Sequence, residues 1–202
     1  MIAAIVGGQP IPAAVIDEWL AALPVRRNEE NWSGAPRAQR QRRRWMTQVV
    51  VGAELARQGC ADRGLAPLGA EPSFAPASDA ETADLGGIAA AVVQASGHAR
   101  ALLADFAAHQ EIPETEIRSY YQRNADRFLT PEGLAAGIDP FQDLNHVRPF
   151  DAVRDDIERR LRESAARREF VDWLDARKSG VALSAGYEHP ADPAQPDAEH
   201  KH

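Results

Sequence analysis

Apolar positions spaced three and four residues apart recur from about residue 13 to residue 178, the pattern of amphipathic helices. The opening Ile2–Pro12 reads instead as a short extended segment with a Gly/Pro turn. A first helix is predicted over Ala13–Leu23, with Val15, Trp19 and Leu23 on one face and Pro24 as its stop. Residues 26–36 are polar, with Gly and Pro, and read as a loop. A second helix is predicted over Arg37–Gln58. Its first turns are basic, Met46, Val49, Val50, Ala53 and Ala56 supply its apolar stripe, and Gly59 takes the C-cap. Residues 60–80, including Cys60, read as a Pro/Gly loop. A long third helix over Glu81–Gln110 carries Leu85, Ile88, Val92, Ser96, Ala99, Leu103 and Phe106 at helical spacing. Pro113 opens a fourth, Glu114–Arg127. Residues 129–148 show no period and read as an irregular insert.

The fifth helix is predicted from Pro149 to Lys178. Acid-before-base pairs four apart (Asp155–Arg159, Asp156–Arg160, Glu158–Arg162, Glu163–Arg167) support it. Phe150, Val153, Ile157 and Leu161 form one stripe. At about 100° per residue, Phe170, Trp173 and Leu174 fall on nearly the opposite side, so its two halves should bury different faces against different bodies. Gly180 ends it, and residues 181–202 form an irregular polar tail. No run alternates convincingly enough to predict a β-sheet. The expected fold is all-α: a helical body over 1–180 with a short extended N-terminal segment and a long C-terminal helix, then the tail.

Charge and composition narrow the function. The 202 residues carry a net charge of −7. Seven Arg and two Glu between Arg26 and Arg44 make a local +5 in this acidic chain. In a chain that is acidic overall, that stretch reads as a solvated helix face or docking patch, and no nucleic-acid partner is expected. No apolar run approaches the roughly 18 residues of a spanning helix, and no basic n-region precedes the start, so a cytoplasmic protein without a membrane partner is expected. The single Cys60 excludes an internal disulfide or a multi-cysteine metal site. Phosphate-loop, dinucleotide, nucleophile-elbow and zinc-protease motifs are absent, so no enzyme activity is expected.

Val6-Gly7-Gly8-Gln9-Pro10-Ile11 followed by Ile16-Asp17-Glu18-Trp19-Leu20 resembles the opening of SurA- and PrsA-type chaperone domains. Ile112-Pro113-Glu114-Thr115-Glu116-Ile117-Arg118-Ser119-Tyr120-Tyr121-Gln122-Arg123-Asn124-Ala125-Asp126-Arg127-Phe128 resembles the helix that precedes their parvulin prolyl isomerase module. Phe150-Asp151-Ala152-Val153-Arg154-Asp155-Asp156-Ile157 resembles the helix that returns after it. The resemblance implies a SurA-N-like helical chaperone domain. The residues between Glu132 and Phe150 are too few for the isomerase module, so its activity is not implied. Without an export signal, the cytoplasmic NifM-type accessory proteins are the nearer analogy.

Two candidate sites follow. Trp19, Tyr120, Tyr121, Phe150, Phe170 and Trp173 are core residues or the lining of an apolar interhelical groove that binds a protein client or specific partner; a homodimer remains open. His189, His200 and His202, with Asp192 and Asp197, form the alternative. The two imidazoles of His200-x-His202 suit Ni, Zn, Co or Cu, and the protein would then be a metal-handling accessory factor. A tail docked through Tyr187 is a third outcome. His98 and His109 share a helix face but stand about 16 Å apart, too far for one metal ion.

Overall fold

A computed structural model describes residues 1–23, 36–69, 82–83 and 85–192. Among these, seven α-helices and a three-stranded sheet are present. The chain divides into two compact units: Met1–Asp105 with Arg168–His202, and Phe106–Arg167.

The first unit opens with strands β1 (Ile2–Val6) and β2 (Gln9–Pro12), paired antiparallel. Gly7 and Gly8 make the turn with φ of 55° and 80°, the positive values a two-residue hairpin connection needs. Gln58 fixes it from outside, its Nε2 donating to the Val6 carbonyl at 3.1 Å. A third strand, β3 (Ala182–Leu183), pairs antiparallel with β1 on its other edge. This sheet corrects the all-α expectation. A register irregularity between Ile2 and Ala4 lets both Ala3 and Ala4 face inward, which erases the alternation a strand normally shows. The two residues of β3 are too few to carry a period.

Helix α1 (Ala13–Ala22) buries Ala13 and Ile16. Its inward face is offset from the predicted Val15–Trp19–Leu23 stripe, whose members are half-buried. Helix α2 (Pro36–Arg63) runs beyond its expected end. Gly59 is therefore an interior residue, and Gly64, with φ of 67°, follows the last turn instead. Cys60 is buried in the helix rather than placed in a loop, its thiol donating to the His98 carbonyl at 3.2 Å.

The expected third helix is broken. Helix α3 (Gly87–Ala95) stops at Ser96, and α4 (Gly97–His109) starts again. Ser96 serves both ends: its N–H donates to the Val92 carbonyl, and its Oγ accepts from the Ala99 N–H at 3.3 Å. Arg100 donates to the carbonyls of Val93, Gln94 and Leu68, closing the C-terminus of α3. The break shifts the buried position to Leu102 in place of Leu103.

Helix α5 (Glu114–Arg123) lies in the second unit. It ends before the predicted Arg127 because Asn124 leaves the helical conformation, its Nδ2 donating to the Tyr120 carbonyl. A 3₁₀ turn over Ala125–Phe128 follows, then the short helix α6 (Pro131–Ala135). The core of this unit is Ile117, Phe128, Val147, Val153 and Ile157, with Tyr120, Tyr121, Phe150 and Leu161 packed against it.

Helix α7 (Phe150–Lys178) starts in the second unit and ends in the first. Val153 and Ile157 join the core of the second unit, while Phe170 and Leu174 are buried in the first. Its two halves thus bury different faces in different bodies, as the stripe change predicts. Glu158 pairs with Arg162 and Glu163 with Arg167, but Arg159 turns to Asp156, three residues away, at 2.6 Å. Beyond α7 the tail is not irregular throughout: it supplies β3, buries Tyr187, and places Glu188 3.7 Å from the buried Arg44 guanidinium.

Candidate partner-binding site

The segment between Phe128 and Arg148 is a closed loop. Leu129 and Val147 form an antiparallel bridge, the Thr130 N–H donates to the His146 carbonyl at 2.8 Å, and the Arg148 N–H donates to the Phe128 carbonyl at 2.8 Å. Residues 131–146 therefore leave and return at one point, the geometry of an Ω-loop. Its interior path is fixed by short-range bonds. Thr130 Oγ1 accepts from the Gly133 N–H and caps α6. Asp139 Oδ1 accepts from the Phe141 N–H and its Oδ2 from Gln142, while Asp143 Oδ1 accepts from the Asn145 N–H. Such Asx contacts hold a turn without a regular element.

What this loop buries and what it shows are inverted. Gly133 and Pro140 face inward, whereas Leu134, Phe141 and Leu144 are 70%, 61% and 67% exposed. Three of the seven large exposed hydrophobic side chains among the described residues thus lie within eleven residues of one loop. Single exposed leucines are ordinary, but three large apolar side chains held out by one bonded frame make this loop the candidate interaction surface. Residues 129–147 also contain Glu132, Asp139 and Asp143 and no Lys or Arg.

The residues expected to bind a client fall into two sets. In the second unit, Tyr121 packs against Phe128 at 5.3 Å and Phe150 at 5.5 Å, and Tyr120 meets Phe128 edge-on at 6.4 Å. Arg118 lies over the Phe150 ring at 4.3 Å, and the Tyr121 hydroxyl donates to the Arg148 carbonyl beside the loop's exit. These aromatics support the loop from beneath. In the first unit, Phe170 is fully buried and stacks on half-buried Trp173, which Arg177 covers at 5.0 Å. Phe170 is a core residue with no surface for a client. Trp19 is half-buried on α1.

The interhelical concavity near the start of α5 is of a different kind from the expected apolar groove. It encloses about 540 Å³ and is lined by Ala108, Gln110, Glu111, Ile112, Glu158 and Arg162, none of them among the expected client-binding residues. Arg162 donates to the Gln110 carbonyl and pairs with Glu158 one turn before it on α7.

Of the tail residues expected to bind metal, Asp197, His200 and His202 lie outside the described residues. His189 is described, its Nδ1 accepting from the Ala191 N–H at 3.1 Å, and Asp192 stands three residues on. Burial, then the nearby Lys178 ammonium, hold the His189 imidazole below its usual range. Among the described residues, no three His, Cys, Asp or Glu side chains gather as a metal site, and no helix is long and apolar enough to cross a membrane.

The loop residues Leu134, Phe141 and Leu144 are the part that sequence reading passed over, because Pro131, Gly133, Gly137, Asp139 and Pro140 interrupt a segment in which spacings of seven and three would otherwise mark a helix face. No protein-family model, curated protein or solved structure matches the chain.

Proposed function

We propose that the protein is a non-catalytic, chaperone-like binding protein that captures a client or a specific partner on the 131–146 loop. The observation that carries this reading is the exposure of Leu134, Phe141 and Leu144 on a frame closed by the Leu129–Val147 bridge. Covering each of these side chains is worth about 1.5–3 kcal/mol, which together offsets a large part of the roughly 4–15 kcal/mol that association costs. The frame limits the ordering cost of binding, because the backbone turns are already bonded. In the chain order that the SurA/PrsA resemblance implies, this loop stands where the isomerase module would be inserted. In this reading the displayed loop, rather than an apolar interhelical groove, takes the partner.

The test is suppression of aggregation of a chemically unfolded client by the wild-type chain and by the Leu134→Ser/Phe141→Ser/Leu144→Ser variant. Suppression by the first and its loss in the second, with helix content unchanged, is the expected result. Equal suppression by both would remove the loop from the function.

The metal-handling reading rests on the sequence, which places His200 and His202 two residues apart in one tail with His189. Calorimetric titration with Ni and Zn, comparing wild type with His200→Ala/His202→Ala, tests it. Identical heats would eliminate it.

A further inference from the structure

Each large apolar side chain on the loop has an acid close by in the chain: Glu132 two residues before Leu134, Asp139 two before Phe141, and Asp143 directly before Leu144. Asp139 and Asp143 also fix the turns that present these side chains, so charge and apolar surface are set by the same bonds. Resting on the binding function proposed above, we infer that the partner is a cationic amphipathic segment, with apolar residues for the three side chains and Lys or Arg for the three carboxylates around them.

Charge complementarity carries the choice. An uncharged apolar segment would leave the loop's three carboxylates without counter-charge, and an acidic one would meet like charge, which is costly at an interface. A second copy of this chain is the nearest alternative, because the start of α2 exposes Arg37, Arg40 and Arg43. That helix shows no large exposed hydrophobic side chain among its described residues, so it offers the charge without the apolar half of the match.

The experiment titrates the full chain with two fluorescent amphipathic peptides that share one apolar face, one with Lys and the other with Glu on the polar face. The wild type should bind the cationic peptide about tenfold or more tightly than the anionic one at low salt, with the ratio shrinking as salt rises. In Glu132→Gln/Asp139→Asn/Asp143→Asn, where Asn keeps the acceptors for the Phe141 and Asn145 N–H groups, the ratio should fall toward one while binding persists. In Leu134→Ser/Phe141→Ser/Leu144→Ser both peptides should weaken.

Equal binding of the two peptides by wild type, abolished by the serine variant, would overturn the cationic partner and leave the binding loop standing. A charge preference unchanged in the neutralised variant would also overturn it, placing the recognition elsewhere. Failure of both peptides to bind would overturn both proposals. Self-association of the wild type in sedimentation, lost in the serine variant, would assign the surface to a second copy instead.

Discussion

Gly59 lies against the indole of Trp173: a Cβ on Gly59 would stand 2.5 Å from Cζ2 of the ring. No real Cβ tolerates that approach, and Leu102 Cδ1 closes the other side at 3.2 Å. The missing side chain is therefore a packing requirement of α2 against α7, not the end of a helix. Replacing an interior helical glycine by alanine ordinarily stabilises by about 1 kcal/mol. Here overpacking at about 1–3 kcal/mol should win, so Gly59→Ala is expected to lower the denaturation midpoint. In a Trp173→Ala background, which costs about 3–5 kcal/mol by itself, the same Gly59→Ala change should become stabilising. Urea titrations of the four proteins check the inversion of sign. Additive effects would place Trp173 away from Gly59.

A second close approach controls the loop. A Cβ on Gly133 would lie 2.7 Å from His146 Cβ, near the backbone of the returning segment rather than at the free end of a side chain. Gly133→Ala should therefore pry the Leu129–Val147 closure apart at a cost of about 1–3 kcal/mol. Its signature is faster amide exchange at Thr130 and Arg148, whose N–H groups close the loop. Unchanged exchange at those two amides would show that the closure absorbs a methyl group freely.

Most of this fold is legible wherever burial follows a helical period. The start and end of α7 and its change of buried face come directly from Phe150, Val153, Ile157, Phe170 and Leu174. What escapes is set by tertiary contact. Gly59 looks like a stop signal until Trp173 is placed over it. Ser96-Gly97 looks like continuous helix until Leu68 crosses, its carbonyl 2.8 Å from where a Gly97 Cβ would stand. Ala3 and Ala4 hide a strand because a bulge turns both inward. The candidate loop escapes for a related reason: Thr130, Asp139 and Asp143 specify it by individual side-chain-to-backbone bonds, which leave no periodic trace, and only its folded form shows Leu134, Phe141 and Leu144 outward.

Glu54 ties the β1–β2 turn to pH. Burial pushes its carboxyl up, but hydrogen bonds from Arg57 and Gln58, with the Arg57 charge, outweigh this and hold it below the ordinary 4.5. Gln58 in turn holds the Val6 carbonyl. With the folded value lowered, the unfolded chain binds more protons in the acid range. The contribution of Glu54 is therefore complete above pH 4.5 and is lost as pH falls through the folded value. Unfolding free energy should drop more steeply between about pH 5 and 3 in the wild type than in Glu54→Gln. Parallel curves would exclude Glu54 as a contributor to the acid response.

Amide hydrogen exchange of the full chain, with and without a saturating amphipathic cationic peptide, tests the central claim most directly. The account predicts slowing of about tenfold or more confined to residues 131–146, with the exchange of Met46–Cys60 in α2 unchanged. Protection appearing on α1 or around Phe170 and Trp173, with the 131–146 amides unaffected, would contradict it.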